Sequence, residues 1–569
     1  MNKRIMPLGI DSFEKLRAEG YYYVDKTAFI KELLLQERFE VTLITRPRRF
    51  GKTLAMSMLA EFLDIRKKSG WLFEGLAVSE EKELCEAWMN QWPVLSVTWK
   101  DIEDLNFEQA QEQMAAVISE LCVDHGYLLE RTDIDEADKK MLLQLRNFTA
   151  SATALRNSLY FLTRMMYEHY GKPVILLIDE YDVPLAKANE NGYYRQMLNS
   201  IRGMLSKALK SNRYLKFAVI TGCLRISGES IFTGANHFTT NALAGRRFES
   251  VFGFTEDEVK ALLEEQGFLG RLLQIRQWYD GYRFGRAHIY CPWDVLNYVS
   301  DLQCDPDAEP AGYWKNTSHN DLIRNFIRQK EYNITEKLEM LLAGGTVRVR
   351  LCEDLTYDCL YASEENFWSV LYLTGYLTNG SVEEADRKKQ LCAGEALLRI
   401  PNEEVRQIFT DTIAEWFKDS MTETNRQPFI NALWNGEEDR ASALLNEWLF
   451  QTISYYNYKE DFYHAFLAGI FAGFGYAVQS DREYGEGRPD LVVSDTKNRR
   501  IMVIEIKRSR TREAMEADCG IAVRQIGHRN YAGYFLDDYQ TVICYGIAFF
   551  RKQCRIRGKL AVNQDREIW

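Results

Sequence analysis

Short runs of consecutive apolar residues recur along the first half of the chain and predict buried β-strands. The runs are Phe39–Thr45, Val94–Thr98, Val174–Ile178 and Phe217–Thr221. Aliphatic and β-branched residues without polar alternation are typical of strands that are covered on both faces. Segments with the apolar spacing of helices lie between the runs. The alternation predicts an α/β fold built on an open sheet.

The loop after the first predicted strand has the residue types of a phosphate-binding loop. It comprises Arg46, Pro47, Arg48, Arg49, Phe50, Gly51, Lys52, Thr53 and Leu54, and a helical stretch follows. Gly51 allows close approach of the backbone to phosphates, and amides at a helix start donate to phosphate oxygens. We expect Lys52 to reach the β- and γ-phosphates and Thr53 to bind Mg²⁺. The general pattern has glycine where this chain has Arg46.

A pair of carboxylates follows the third predicted strand. Asp179 and Glu180 stand at its carboxyl end, where ligands bind in open α/β sheets. We expect Asp179 to hold Mg²⁺ and Glu180 to orient or deprotonate the attacking water. Asp182 is either a helix cap or a partner of these groups. The loop and the carboxylates together predict an ATP site.

The next predicted strand ends in a polar residue, Thr221, which is the candidate for sensing the γ-phosphate. Arg225 follows and is a candidate for contacting phosphate, from the same chain or across a subunit interface. A structural ion pair explains Arg225 at least as well.

These motifs resemble those of the bacterial and archaeal AAA-ATPase-like family. The similar segments are GYYYVDKTAFIKELL, RPRRFGKT, IDEYDVPL and TGCLRISGESIFTG. The resemblance covers residues 5 to 300, and loops of this family also open with arginine. It implies an ATPase of the AAA/STAND-like branch whose lid runs from Phe252 to Trp293. It also implies that a strand with Asp25 and Lys26 lies near the nucleotide.

A second constellation lies near the C-terminal end of the sequence. Asp490 opens an apolar run, Ser494–Arg500 is turn-like, and Ile501–Lys507 predicts another strand. Alternation along a strand puts Glu505 and Lys507 on the same side, and a hairpin would bring Asp490 to them. Two carboxylates on one face require compensation, which Mg²⁺ would provide. Lys507 would then orient or activate the attacking water and stabilise the developing phosphorane charge.

A helix is predicted from Glu513 to Gln525. The order of Asp490, Glu505, Lys507 and a helix that carries Gln525 resembles the PD-(D/E)xK nuclease-like domain that accompanies this ATPase family. The resemblance implies that these four residues are catalytic. It also implies that Asp490 and Glu505 hold Mg²⁺, with Mn²⁺ as an alternative.

Other residues around this motif have weaker signals. The stretch Asp461–Phe471 resembles the opening helix of the nuclease-like domain, and Pro489 completes the literal PD. Glu460, Glu483 and Tyr531 are possible assisting groups. Taken singly, E-x-K also fits a solvated strand edge and PD a common turn.

Composition excludes several other classes. Hydrophobic residues make up 46% of the 569 residues and only 11 are proline, which excludes a disordered or low-complexity chain. The 11 cysteines form no CxxC pair, so we expect reduced thiols and a cytoplasmic location. The histidines, including His237, His464 and His528, show no zinc-like spacing. The apolar run Ala465–Val478 is shorter than the roughly 20 residues that span a bilayer, so we expect a soluble protein without a membrane partner.

Charge is distributed unevenly along the chain. The net charge is −11, but residues 481–569 hold 17 Lys and Arg against 13 Asp and Glu. A local basic excess around a carboxylate site is compatible with binding a phosphate backbone. We therefore expect nucleic acid, with DNA favoured, as the macromolecular partner, and a homo-oligomer that forms with nucleotide.

The predicted architecture has four parts. Residues 1–245 form an AAA-like P-loop ATPase domain of the ASCE type, 246–300 its helical lid, 301–447 a mostly helical middle region, and 448–569 a restriction-endonuclease-like α/β domain. The leading function is an ATPase whose Mg²⁺-dependent nuclease domain cleaves DNA under ATP control. The alternative is a STAND-like regulatory NTPase whose nuclease fold only binds nucleic acid or a protein. A transposon-linked or restriction-like DNA processing factor would need a sequence-reading module, which we do not find.

Overall fold

The computed structural model of the chain describes most of its residues. They are 4–35, 40–225, 238–314, 335–342, 344–352, 355–360, 362–380, 392, 394–420, 423–452, 460–473, 476–480, 488–529, 531–536, 538–551 and 553–562. The chain forms two compact units, one of residues 1–316 and 348–404, the other of 317–347 and 405–569. The predicted middle region contributes to both units, and the four domain boundaries stay predictions.

A five-stranded parallel sheet forms the centre of the first unit. Its strands are β1 (Val41–Thr45), β2 (Val94–Thr98), β3 (Val174–Asp179), β4 (Leu215–Gly222) and β5 (Phe238–Asn241). Their order is β2-β3-β4-β1-β5, and every adjacent pair is parallel. β1 and β3 are buried along their whole length, as expected for strands covered on both faces. The four strands predicted from apolar runs are confirmed, although Phe39 lies outside the described residues.

Helices connect these strands and continue after the sheet. They are α1 (Phe13–Ala18), α2 (Ala28–Leu34), α3 (Lys52–Leu63), α4 (Lys82–Trp88), α5 (Phe107–Asp124), α6 (Glu136–Arg146), α7 (Ala152–Tyr170), α8 (Val183–Glu190), α9 (Tyr194–Leu209), α10 (Glu256–Gln266), α11 (Leu272–Tyr279) and α12 (Pro292–Cys304). Short 3₁₀ turns cover Gly70–Phe73, Ala77–Glu80, Gly126–Glu130, Leu269–Arg271 and, later in the chain, Tyr357–Cys359.

Apolar faces of α5, α7 and α9 pack on the sheet. Leu162 and Met166 of α7 and Ile201 and Met204 of α9 share one buried cluster with Leu176 of β3. Residues three or four apart lie on one face of a helix, so each helix presents a continuous apolar stripe. Burying one such side chain contributes about 1.5–3 kcal/mol. The cluster fixes the strands whose carboxyl ends carry the candidate site.

The segment that the sequence assigned to a lid contains α10–α12 and a hairpin of β6 (Tyr282–Phe284) and β7 (Ala287–Ile289). The three helices have their own core, which includes Val259, Ile275 and Val299. Met6 and Tyr22 from the start of the chain join that core. The action of this segment as a lid stays a prediction.

The segment with Asp25 and Lys26 is not a strand, contrary to our expectation, although all its residues are described. Lys26 Nζ lies 2.7 Å from both carboxylate oxygens of Glu258 and donates to the Ser250 carbonyl. Asp25 accepts a hydrogen bond from the Ala77 amide. The segment is therefore held by side-chain hydrogen bonds instead of pairing with a sheet edge.

Between residues 335 and 399 the described elements are α13 (Thr335–Leu342), β8 (Val347–Arg350), α14 (Glu364–Leu373), β9 (Thr378–Asn379) and β10 (Glu395–Arg399). The strands form a small sheet in the order β8-β10-β9. The sequence predicted mainly helices here and missed this sheet, because its strands are too short to show clear alternation.

A mixed five-stranded sheet dominates the second unit. Its strands are β11 (Ala477–Ser480), β12 (Leu491–Asp495), β13 (Arg500–Arg508), β14 (Thr541–Phe550) and β15 (Gln553–Val562), in spatial order. β13 and β14 are parallel, and the other pairs are antiparallel. The remaining helices are α15 (Glu403–Ser420), α16 (Glu423–Trp434), α17 (Glu438–Thr452), α18 (Glu460–Gly473), α19 (Met515–His528) and α20 (Tyr531–Phe535).

This sheet and its helices confirm the α/β character that the sequence predicts for the C-terminal part. Val503 of β13, Val542 of β14 and Ile526 of α19 share one buried cluster. The apolar run that begins at Ala465 forms most of α18 and then continues into β11. Within the described residues, no helix has the length and apolar character needed to cross a membrane.

One buried histidine of the first unit gives a prediction about stability. His125 is 2% exposed, its Nδ1 lies 2.9 Å from the Tyr127 hydroxyl, and burial together with the Arg66 charge lowers its pKa to about 3. The unfolded chain, with a pKa near 6.5, therefore binds more protons, so the stabilisation is complete above that pH and is lost as the pH falls towards 3.

We expect His125→Gln to reduce the acid sensitivity of unfolding. Between pH 7.5 and pH 5, the wild-type chain should lose about 2 kcal/mol more unfolding free energy than the variant, which has no titrating group at this position. Denaturant unfolding at both pH values measures the difference. Equal losses in the two proteins would contradict the assignment of a neutral buried His125.

Candidate functional site

The loop between β1 and α3 has the backbone of an anion-binding turn. Gly51 precedes α3 with φ 84°, a left-handed conformation that glycine adopts without strain. No side chain caps the start of α3. The first amides of a helix have no partner within the helix. These amides, beginning at Lys52, are therefore available to phosphate oxygens.

Lys52 is buried inside its own loop. Its side chain is 4% exposed, and Nζ donates to the carbonyl oxygens of Arg46 at 3.0 Å and Pro47 at 2.9 Å. The Cys223 sulfur lies 3.7 Å from the same nitrogen. A buried ammonium needs such acceptors. The lysine is thus held at the loop by neutral acceptors that an anion would outcompete.

The side chain of Arg46 is committed to the protein interior. Its residue is fully buried, and the guanidinium donates to the carbonyl oxygens of Asn241 at 2.8 Å and Phe248 at 3.3 Å. The rings of Phe252 and Phe284 lie 5.5 and 5.2 Å from it. Burial lowers the pKa of Arg46 to about 10. A nucleotide-binding role for Arg46 stays a prediction. Because its side chain is used inside the protein, only its backbone would take part in such binding.

The carboxyl end of β3 meets the carboxyl end of β4. The Thr221 hydroxyl donates to Oδ1 of Asp179, and both residues are buried. The second oxygen of Asp179, Oδ2, is buried without a hydrogen-bond partner. A buried, unpartnered carboxylate oxygen is costly unless a cation or donor compensates it. Asp179 therefore fits the predicted role of a Mg²⁺ ligand, and Thr221 holds it in place.

Glu180 follows Asp179 in an unusual backbone conformation. Its φ of 53° is left-handed, which costs a non-glycine residue about 1 kcal/mol or more and is often found at functional sites. Burial raises the pKa of Glu180, while the Lys52 charge lowers it and the Asp179 charge raises it. A half-buried carboxylate with a raised pKa suits a general base better than a solvated one.

Asp182 links the end of β3 to the turn after β4, a role that neither alternative from the sequence had specified. Its carboxylate accepts hydrogen bonds from the amides of Cys223 at 3.0 Å and Leu224 at 2.9 Å, and from the Tyr357 hydroxyl at 3.2 Å. Its side chain makes no cap for α8. Gly222 faces it so closely that a Cβ there would lie 2.6 Å from Asp182 Oδ1. Asp182 is thus a partner that holds the turn after β4.

We expect Asp182→Ala to destabilise the first unit by about 3 kcal/mol, because two amides would lose their charged acceptor at a site that is 2% exposed. Asp182→Asn keeps one acceptor oxygen and should cost about half as much. Denaturant unfolding measures both values. An alanine variant as stable as the wild-type chain would contradict the assignment of Asp182 as the residue that holds the turn after β4.

The other predicted nucleotide-binding residues lie around this centre. Phe50 is buried against the rings of Tyr282 and Phe284, 5.0 and 5.1 Å away. The remaining positions keep their roles as predictions; they are the buried Pro47, the exposed Arg49 and the half-buried Arg48, Thr53, Leu54 and Arg225. The structure therefore brings the loop, Asp179, Glu180 and Thr221 together at one edge of the sheet.

The C-terminal hairpin forms as predicted. β12 and β13 are antiparallel, with Leu491 opposite Ile504, and Asp490 stands immediately before β12. Its carboxylate Oδ2 accepts a hydrogen bond from the Ile506 amide at 2.6 Å. The bond places the Asp490 carboxylate beside the middle of β13, next to Glu505.

Glu505 is the buried acid of this site. It is 1% exposed, its Oε1 has no hydrogen-bond partner, and Lys507 Nζ lies 3.7 Å from its Oε2. Burial and the negative charge of Asp490 raise its pKa to about 8, and Lys507 opposes that rise. Glu505 and Lys507 thus share one face of β13, as the alternation predicted. The unpartnered oxygen fits a divalent cation.

Two further residues surround this pair of carboxylates. His464 of α18, one of the histidines without zinc-like spacing, has its Nε2 2.6 Å from the Asp490 carbonyl oxygen. Tyr531 is fully buried, and the charges of Glu505 and Asp490 raise its pKa in addition to burial. A lone histidine on an apolar helix gives no signal that it reaches a residue 26 positions away.

Gln525 lies half-buried on α19, which packs against β13 and β14. Its catalytic role stays a prediction. Glu483 lies outside the described residues, and Glu460 begins α18. Among the residues that the structure describes, no cluster of three or more His, Cys, Asp or Glu side chains is arranged to hold a metal. Within the described part of the chain, each site therefore offers two neighbouring acidic residues, Asp179 with Glu180 and Asp490 with Glu505.

The parallel sheet, the loop before α3 and the carboxylates at the end of β3 are consistent with a P-loop-like α/β domain, and the C-terminal mixed sheet is consistent with a nuclease-like domain. Comparison with known families agrees with both assignments. Residues 7–232 match the family described as predicted AAA-ATPase, and residues 458–559 match the PD-(D/E)XK nuclease superfamily. The chain therefore combines an AAA-ATPase-like domain with a nuclease-superfamily domain.

A curated relative resembles the chain over nearly its whole length. It is described as "Uncharacterized protein in vnfD 5'region" from Azotobacter chroococcum mcd 1, and it is 24% identical over 575 residues, covering 98% of this chain and 99% of the relative. Its description assigns no activity. The likeness therefore carries no function over to this chain.

Proposed function

We propose that this protein binds and hydrolyses ATP and that its C-terminal domain cleaves nucleic acid, with DNA as the expected substrate, under ATP control. The observation that carries the proposal is the presence of two acidic sites in one chain, each with a buried carboxylate oxygen that lacks a partner, at Asp179 and at Glu505. Both positions are ones at which the sequence predicted a divalent cation.

At the ATP site, the roles follow from the contacts. Phosphate oxygens would replace the loop carbonyl oxygens as hydrogen-bond acceptors for Lys52. They would also accept hydrogen bonds from the first backbone amides of α3. Asp179 and Thr53 would hold Mg²⁺, which neutralises phosphate charge when bound. Glu180, close to Lys52, would orient the attacking water and accept its proton.

At the nuclease site, Asp490 and Glu505 would hold Mg²⁺ or Mn²⁺, which polarises the scissile phosphate when bound. The Ile506 amide fixes one oxygen of Asp490, so the carboxylate is oriented before a cation binds. Lys507 would orient the attacking water and stabilise the negative charge that develops on the phosphate. The roles of Gln525, of the nucleotide-dependent homo-oligomer and of the cytoplasmic location remain proposals from the sequence.

A second candidate function is a regulatory NTPase whose nuclease fold binds nucleic acid or a protein without cleaving it. The net charge of −11 favours it, because an acidic chain offers less basic surface for a long DNA track. Steep weakening of DNA binding with salt would indicate that several phosphates are neutralised, whatever the catalytic outcome.

The experiment that tests the proposal is incubation of the full chain with plasmid and single-stranded DNA, with Mg²⁺ or Mn²⁺ and with or without ATP. Metal-dependent cleavage that changes with ATP supports the nuclease and its control. Intact ATP hydrolysis without cleavage under any metal would favour the regulatory NTPase instead. Absence of both activities would contradict the proposal.

A further inference from the structure

Arg49 stands apart from the other residues of the phosphate-binding loop. Its side chain is exposed, whereas Arg46, Phe50 and Lys52 are buried. Its φ of 71° is left-handed, so the protein maintains a strained backbone at this position. The side chain lies against a specific neighbour, the indole of Trp293.

Trp293 offers Arg49 a fixed aromatic surface. The guanidinium carbon lies 4.1 Å from the centre of the indole ring, within the range of a cation–π contact. The indole Nε1 donates to the Tyr313 carbonyl at 3.2 Å, which anchors the ring. The contact therefore joins the phosphate-binding loop to the start of α12.

A buried acid completes this arrangement. Asp294 follows Trp293, is fully buried, and neither of its oxygens receives a hydrogen bond of ordinary geometry from a described residue. Burial raises the pKa of Asp294 and that of the nearby Glu404, and the charge of Asp294 raises the pKa of Glu404 further. The positive charge of Arg49 opposes the effect of burial on Asp294.

Arg49 is also within electrostatic reach of the ATP site. The charge of Glu180 acts on it together with that of Asp294, both favouring the guanidinium cation. Only Phe50 and Gly51 separate it from Lys52 along the chain. The exposed cation of Arg49 is thus favoured by two acidic groups, Glu180 at the candidate ATP site and Asp294, which follows Trp293 in the chain.

We propose that Trp293 and Asp294 form a rest site for Arg49, and that Arg49 leaves it to bind the γ-phosphate and so distinguishes ATP from ADP. The inference rests on the proposed function, because it requires that the loop binds ATP. A guanidinium forms paired, charge-assisted hydrogen bonds with a phosphate. The γ-phosphate would therefore compete for Arg49 with the Trp293 ring and the Asp294 carboxylate. Because the rest-site contact must be given up, it lowers the apparent affinity for ATP.

The test is calorimetric titration of the full chain with Mg²⁺ and either ADP or a non-hydrolysable ATP analogue. Arg49→Ala should weaken binding of the analogue by about tenfold or more and of ADP by less than about twofold. Trp293→Leu should strengthen analogue binding by about threefold and leave ADP unchanged, and Trp293→Phe should fall between the two. Arg213→Ala is the matched control, because Arg213 also lies over an aromatic ring, that of Tyr214, at 5.0 Å.

Three outcomes would overturn the rest site. Equal weakening of both nucleotides by Arg49→Ala would mean that Arg49 supports the loop or the other phosphates. If both Trp293 variants bind the analogue more weakly at unchanged unfolding temperatures, the contact of Arg49 with Trp293 is present when ATP is bound and is not a rest site. An Arg213→Ala variant that matches Arg49→Ala would mean that surface charge alone is responsible. By contrast, a wild-type chain that binds neither nucleotide refutes the proposed function itself.

Discussion

Glu505→Gln is expected to lower metal-dependent DNA cleavage by about 100-fold or more while ATP hydrolysis stays within about twofold. The substitution keeps the size of the side chain and removes its charge. Glu505 is 1% exposed, with Oε1 unpartnered and Lys507 3.7 Å from the other oxygen. A neutral amide at this position would leave the cation with Asp490 as its remaining charged ligand. Gel assays of plasmid cleavage, beside a coupled ATPase assay, measure the two activities.

Two controls distinguish lost chemistry from lost folding. Glu513→Gln changes an exposed acid just before α19 and should leave cleavage unchanged. Mg²⁺ should raise the unfolding temperature of the wild-type chain more than that of Glu505→Gln, because only the intact carboxylate pair binds the ion well. Cleavage that persists in both Glu505→Gln and Lys507→Ala would contradict the assignment of this site.

Glu180→Gln is expected to lower ATP hydrolysis by about 100- to 1000-fold with little change in ATP affinity. The amide cannot accept the proton of the attacking water, although it keeps the size of the side chain and its place beside Lys52. The φ of 53° at this position carries the same strain in both proteins, so unfolding should change little. Steady-state hydrolysis and nucleotide titration separate the two effects.

The matched control is Glu190→Gln, an exposed acid at the end of α8 that pairs with Lys187 at 3.3 Å. It should hydrolyse ATP at the wild-type rate. DNA cleavage by Glu180→Gln then tests whether ATP hydrolysis controls the nuclease. If it does, adding ATP should change the cleavage rate of this variant differently from that of the wild-type chain. Unchanged hydrolysis in Glu180→Gln would show that another group accepts the proton.

Local patterns predicted the elements that carry both sites. The apolar runs located the strands that precede Arg46 and include Asp179, because a strand covered on both faces needs uninterrupted apolar residues. Alternation alone placed Glu505 and Lys507 on one face of β13, and the structure confirms this with a separation of 3.7 Å. Such rules depend only on the local spacing of apolar and polar residues along the chain.

Such rules cannot predict contacts between residues that lie far apart in the sequence. The hydrogen bond between Thr221 and Asp179 depends on the order β2-β3-β4-β1-β5, which brings β4 beside β3. The expected strand at Asp25 did not form, because its neighbours supply side-chain acceptors and donors instead of a free sheet edge. Arg46 shows the same limit, since its burial against carbonyls far along the chain has no local signature.

The sequence by itself determined the two classes of domain and the four strands found from apolar runs, and it predicted the acids and lysines of both candidate sites. Tertiary structure alone decided that Asp182 holds the turn after β4, that His464 reaches the Asp490 carbonyl, and that Arg49 lies on Trp293. The reason is physical. Periodicity and turn chemistry act between neighbours in the chain, whereas burial and hydrogen bonding of a polar side chain depend on which distant segments the packed core brings to it.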